Sequence, residues 1–181
     1  HQAGLRWTLS SYASEAGNFG MFIGSYDHMH KLAVRIRKAA LDLGVKRIIV
    51  GECGHAWRVA YSFLNTTCGP WDFLDPNYQR PQHICEYPWD LIQKGGLNLD
   101  ATANDDKVVT FHDSCNPARA MGLLEEPREV LKAVCNNFYE MPENTIREQT
   151  FCCGAGSGLN TDEIMEIRMR GALPRGNALR Y

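Results

Sequence analysis

No run in this 181-residue sequence approaches the roughly 20 consecutive apolar residues that a bilayer-spanning helix requires. No transmembrane segment of its own is therefore expected. Neither sign of charge is in excess: 19 basic against 21 acidic residues leave a formal charge of −2. That gives no reason to expect nucleic acid or an anionic membrane as the partner. The opening lacks the basic start and apolar stretch of a secretory signal. It also lacks a methionine, and reads as the start of a fragment or processed product. With 44% hydrophobic and 22% charged residues, disorder is excluded as well. What remains is a globular chain, long enough for one good core or for two small lobes.

Cysteine is not lacking. Seven are present, an odd number in a chain whose helical and strand patterns already supply a core. A secreted disulfide framework is disfavoured on both counts. Reduced thiols in a cytosol, several of them metal ligands, is the better reading. The densest stretch is Phe151-Cys152-Cys153-Gly154-Ala155-Gly156-Ser157-Gly158, adjacent cysteines followed by three glycines within five residues. Glycine removes the side chain where backbone must bend or come close to something, and neighbouring thiols bridge each other poorly. Soft thiolates suit a shared inorganic centre, an iron–sulfur cluster or zinc.

The remainder reads as an α/β pattern of short strands and helices. Residues 1–25 are glycine-rich and loop-like, with a short helix near 15–22. From Tyr26 to Leu43, apolar residues (Met29, Leu32, Ala33, Ile36, Ala40, Leu43) recur at helical spacing, and Gly44 supplies a stop. Val45–Val50 is a β-branched run suited to a buried parallel strand. It ends in Gly51-Glu52-Cys53-Gly54-His55-Ala56-Trp57, followed by a helix through Phe63. Carboxyl ends of strands are where ligands gather in open α/β sheets, which puts Cys53 and His55 in a favoured place. A small buried cysteine and a packed histidine remain the plain alternative.

Residues 66–81 form an irregular excursion anchored by Trp71, Phe73 and Tyr78, with Cys68 a free thiol and Cys85 structural. A helix over 87–94 stops at Gly95-Gly96, and the polar stretch 97–106 is a plausible seam between two lobes. Lys107–Phe111 is a second strand run, ending in His112-Asp113-Ser114-Cys115-Asn116-Pro117. Two helical pieces follow, the second carrying Pro127 in its first turn, with Cys135 in the core. A third strand candidate, Glu148–Phe151, delivers Cys152 and Cys153. Asn160 and Glu163 then resemble a capping box for a helix that turns Ile164, Met165, Met169, Ala172 and Leu173 inward.

Cys115 precedes Cys152 with 36 residues between them. Cys, thirty-odd residues, then Cys-Cys-Gly resembles the opening of the cysteine-rich CCG domain. His112 to Arg119, Phe151 to Gly156 and Gly51 to Trp57 are together similar to catalytic subunits of the heterodisulfide-reductase type, nearest the DsrK-type branch. The resemblance implies two pseudo-similar lobes of short parallel strands flanked by helices, residues 1–100 as a degenerate first lobe and 101–181 as the second. It implies a noncubane [4Fe–4S] cluster used to cleave disulfides or related sulfur–sulfur bonds. Cys115, Cys152 and Cys153 match its ligands, and Cys53 matches the degenerate first copy of the motif. It further implies a peripheral place on the cytoplasmic face of the inner membrane, beside a quinone-reactive cytochrome b type subunit, with a DsrC-like sulfur-carrier protein as partner. The family's closing Cys-x-x-Cys does not appear in the 27 residues after Gly154 (181 − 154). The site is thus expected to be a fragment's, incomplete and able to lack the cluster altogether.

Within that frame, backbone N–H groups around Gly154 and Gly156 can stabilise an anionic cluster. His112 can hydrogen-bond a sulfur or deliver a proton near neutral pH, or simply be packed. Two other readings stand beside this one. Cys115, Cys152 and Cys153 with Cys53 or His55 make an acceptable zinc set for a structural or interaction domain. Cys53 with His55 or His112 as base would make a thiol enzyme. The glycines after Cys153 lack the spacing and downstream acid of a dinucleotide motif.

Overall fold

Helices in this chain form where apolar spacing and a start signal coincide, and the strands that connect them are minimal. The computed structural model describes residues 3–13, 17–51, 53–155 and 161–180. Contacts group them into two units, His1–Tyr87 and Pro88–Tyr181.

In the first unit, α1 (Gly17–Phe22) packs against α2 (Tyr26–Asp42). The Ser25 side chain caps α2 by accepting from the His28 N–H, satisfying one of the helix's orphan donors. A Cβ on Gly20 would stand 2.3 Å from the backbone nitrogen of Met29, so only glycine lets the two helices meet this closely. β1 (Ile49–Val50) pairs in parallel with β2 (Gln82–His83), Val50 opposite His83. Between them runs α3 (Gly54–Cys68), whose Trp57 indole N–H donates to the Pro81 carbonyl at 2.9 Å. Ala33, Ala40, Val50, Val59, Leu64 and Trp71 are buried together with it in this unit's core. The parallel strand–helix–strand passage sets the chain in the α/β class.

The division falls inside α4 (Glu86–Gln93) rather than at the polar stretch 97–106. That stretch is not a free seam. It forms a single 3-10 turn, Ala101–Asn104, tied to the second unit when Asn104 Nδ2 donates to the Val134 carbonyl at 2.8 Å. Asn136 and Asn137 bind Asp105 from the same side. The strand expected over Lys107–Phe111 shrinks to one parallel bridge, Val109 to Phe138, and Val108 is exposed. The Val45–Val50 run contributes only its last two residues to β1. Glu148–Phe151 is no strand: Arg147–Gln149 is a 3-10 turn with Arg147 at φ 54, a left-handed value that breaks any ladder.

One buried ion pair organises this second unit. Arg128, on α5 (Glu126–Val134), and Asp113 are both fully buried. Two parallel bonds join them, Nη1 to Oδ1 at 2.7 Å and Nη2 to Oδ2 at 2.6 Å. Arg128 also reaches Glu140 at 2.6 Å and the Leu124 carbonyl, and lies over the Phe111 ring. Asp113 takes a third hydrogen bond from the Arg147 N–H at 2.7 Å. Burial alone would raise the Asp113 carboxyl, but the hydrogen bonds from Arg128 and Arg147 and their charges hold it below the usual carboxylate range. Burial likewise opposes charge on Arg128, and its two carboxylate partners more than offset it, holding its pKa above the ordinary arginine value.

The last helix, α6 (Met165–Ala178), corrects the sequence expectation of its inner face. Met165, Met169 and Leu173 are exposed, Ile164 and Ala172 only half-buried, and Arg175 and Ala178 point inward. The reason is what α6 packs on: the turn at Gly154, with φ +76, where a Cβ would meet the Arg168 carbonyl at 2.6 Å and the Ala172 Cβ at 2.9 Å. The inner face is chosen by close backbone approach and by arginine donors, not by apolar bulk. Asn160 of the expected capping box lies outside the described residues, and Glu163 sits in a 3-10 turn, Asp162–Ile164.

Two substitutions test this framework. Asp113→Ala strands a buried guanidinium and is expected to lower unfolding stability by about 3–5 kcal/mol in a urea titration, with Asp113→Leu plus Arg128→Met recovering most of the loss. Gly154→Ala forces a left-handed backbone on alanine, about 1–2 kcal/mol, and overpacks α6 by about 1–3 kcal/mol. Its denaturation midpoint is expected to fall accordingly.

Candidate metal centre

Cys115 ends the turn that follows the Val109 bridge. The chain beyond it closes into a π-helical turn, Asn116–Ala120, with Pro117 at its start and the Ala120 N–H bonded to the Cys115 carbonyl at 3.1 Å. Such turns recur at functional sites because the wider ring offers its backbone and side chains to one side. Asn116 Nδ2 lies 3.6 Å from the Cys115 sulfur, and Cys115 is half-buried.

Cys152 and Cys153 reach the same neighbourhood from the other direction. Thr150, almost fully buried, donates through Oγ1 to the Asp113 carbonyl at 2.7 Å. Together with the Arg147 N–H on the Asp113 carboxylate, this lashes the segment before the twin cysteines to the turn that carries Cys115. Both thiols are exposed. Their sulfurs accept N–H bonds from the turn beyond: Gly154 N–H to Cys152 at 3.3 Å and Ala155 N–H to Cys153 at 3.4 Å.

Among the described residues, no three His, Cys, Asp or Glu side chains converge on a point able to hold a metal ion. The fold brings two cysteine-bearing segments side by side and leaves their thiols as separate donors. In kind, these donors fit an iron–sulfur centre: three soft sulfurs, two with backbone N–H groups already facing them. Gly154 supplies one of those N–H groups and the close packing; Gly156 lies outside the described residues. Cys53 belongs to the first unit, at the N-cap position of α3 with no side-chain cap bond. His55, the second residue of α3, packs edge-on against Phe22 at 5.2 Å, and burial, then the charge of Arg58, lowers its pKa.

His112 is half-buried, and its Nδ1 has no hydrogen-bond partner among the described residues. Burial, and after it the charge of Arg175, pushes its pKa down, against a weaker opposing pull from Asp113. The imidazole is accordingly neutral at physiological pH, with one ring nitrogen uncommitted. The remaining thiols stand apart from this arrangement: Cys135 is in the core and the Cys68 thiol bonds its own helix at the Leu64 carbonyl. Asp113, Arg128, Thr150 and Arg175 shape the site and carry no cysteine-like signal. The only hint in the sequence is Asp113 itself, set between a strand run and a cysteine.

Residues 109–172 match the family model described as a cysteine-rich domain, CCG. Over 98% of its length the chain is 46% identical to the Hdr-like menaquinol oxidoreductase iron-sulfur subunit of Archaeoglobus profundus, covering 36% of that protein. It is 44% identical to the second iron-sulfur subunit of the same name in Archaeoglobus fulgidus, again over 98% of this chain and 37% of the relative. Half of the chain is 36% identical to a subunit of the dihydromethanophenazine:CoB–CoM heterodisulfide reductase of Methanosarcina acetivorans, covering 23% of that protein. The chain thus spans little more than a third of the length of the first two. No solved structure matches it. Residues 109–172 of the second unit are thus similar to the CCG cysteine-rich domain, within a chain similar along nearly its whole length to iron–sulfur subunits of Hdr-like menaquinol oxidoreductases.

Proposed function

We propose that this chain is part of an iron–sulfur oxidoreductase subunit in which Cys115, Cys152 and Cys153 hold a noncubane [4Fe–4S] cluster, Cys53 being the matching position of the degenerate motif copy in the first unit. The observation that carries the reading is the lashing of the Cys115 turn to the Cys152–Cys153 segment through Asp113, inside the span matched by the CCG family. The substrate class is a disulfide or trisulfide, cleaved to thiols or formed from them. Cleaving one sulfur–sulfur bond consumes two electrons and two protons and leaves two thiols. When bound, the cluster supplies those electrons.

The chain's own residues do the rest. Gly154 and Ala155 N–H groups orient the twin cysteine sulfurs. His112, as a neutral imidazole, donates a ring N–H hydrogen bond to a departing thiolate or takes the proton of an incoming thiol. The electrons pass to or from a quinone-linked membrane complex, in keeping with the menaquinol oxidoreductase relatives. No helix among the described residues is long and apolar enough to cross a membrane. Our reading places the chain peripherally, on the cytoplasmic face, beside a membrane subunit of the cytochrome b type. A DsrK-like role, with a DsrC-like carrier protein presenting the sulfur, is the finer form of this proposal.

Anaerobically purified protein is expected to be brown and to contain iron with acid-labile sulfide. Zinc alone would instead make it the structural domain. Cys153→Ser is expected to abolish the electron paramagnetic resonance signal of the cluster, and an unchanged spectrum would refute a ligand role for Cys153.

A further inference from the structure

Arginines surround the twin cysteines without carboxylates to match them. Arg119 donates from Nε to the Glu148 carbonyl at 2.8 Å and from Nη2 to the Thr150 carbonyl. Arg168 donates from Nε to the Gly154 carbonyl at 2.7 Å. Arg175 donates from Nη2 to Thr150 Oγ1 at 2.7 Å and to the Thr145 carbonyl. Each binds the backbone or hydroxyl groups flanking Cys152 and Cys153. Among the described residues none of the three forms an ion pair, whereas Arg128 and Arg147 each have a carboxylate partner.

Arg175 is the extreme case. It is 4% exposed, its guanidinium lies over the Phe151 ring, its Nη1 meets the Met141 sulfur at 2.9 Å, and its Nε has no partner among the described residues. Asp113, the buried carboxylate of this unit, already accepts two bonds from Arg128 and one from Arg147. A guanidinium does not shed its proton when buried, and neutral acceptors only partly replace its hydration. The Asp113 charge acts on Arg175 through space, without a bond between them, which leaves room for a further anion close by. Arg175 touches Thr150 and Phe151, the two residues immediately before the paired thiols.

We propose that Arg175 is the buried counter-charge of the anionic, thiolate-ligated centre held at Cys152 and Cys153, and that it raises that centre's reduction potential. The inference rests on the cluster reading above. A fixed positive charge in a weakly polar surrounding stabilises the more negative, reduced state over the oxidised one. Arg168 and Arg119 act in the same direction, more weakly, because solvent reaches and screens them.

A redox titration of the anaerobically purified natural protein, followed by electron paramagnetic resonance with iron and sulfide measured alongside, separates the outcomes. Arg175→Gln is expected to shift the one-electron reduction equilibrium at least tenfold toward the oxidised form, about 59 mV lower in midpoint. Arg175→Lys, which keeps the charge, is expected to stay near the unaltered protein. Full iron content with an unchanged midpoint in Arg175→Gln overturns the inference, makes Arg175 a strut and leaves the cluster reading intact. Absence of iron and sulfide from the unaltered protein overturns both. If Arg175→Gln loses its iron or its fold, Arg175→Met, neutral and of similar length, decides: a lower midpoint supports the inference, and a midpoint equal to that of the unaltered protein overturns it.

Discussion

The buried Asp113–Arg128 pair fixes where the cysteines are. Two charges removed from water are tolerated only when hydrogen bonds replace their hydration, and here Arg128 makes five and the Asp113 carboxylate accepts three. Arg128 draws in α5, Glu140 and the Leu124 carbonyl, while Asp113 draws in the 3-10 turn at Arg147. Asp113 sits two residues before Cys115, and Arg147 five before Cys152. The pair thus couples the two cysteine segments through the geometry of a single carboxylate.

Around that pair the second unit replaces sheet with side-chain donors. Its only strand-like contact among the described residues is one bridge. The segment from Thr145 to Gly154 is instead held by Arg119, Arg168, Arg175 and Thr150. A ladder would pair the backbone groups on both sides of Cys152 and Cys153. Arginine tips take only the carbonyls, leaving Gly154 and Ala155 N–H groups to face sulfur. The irregular backbone is what frees those donors for the thiols.

This arrangement decides what the sequence can disclose. The helices α2, α3, α4 and α5 are legible because apolar spacing and start or stop residues agree along each of them, and the cysteine pattern points to the family span. The strands are less legible: β-branched runs at Val45–Val50 and Lys107–Phe111 promise ladders, yet pairing covers two residues in one and a single bridge in the other. The inward face of α6 is not legible, nor is the burial of Arg128 on α5. Periodicity ranks side chains by apolarity, so it sends Arg128 and Arg175 to solvent and Met165, Met169 and Leu173 to the core. The reverse holds because these arginines reach buried carboxylate and carbonyl oxygens, a partnership that no local pattern encodes. The polar residues of the stretch 97–106 bond inward for a related reason, Asn104 to Val134 and Asp105 to Asn136.

The matched family span closes at residue 172, while the helix that clasps the Gly154 turn runs on to Ala178. A fragment excised at the family's boundary would keep every cysteine of that span and Arg168, but would discard the guanidinium beneath Thr145 and Thr150. Such a truncation would keep the matched span whole and yet leave the thiol-bearing loop without its floor.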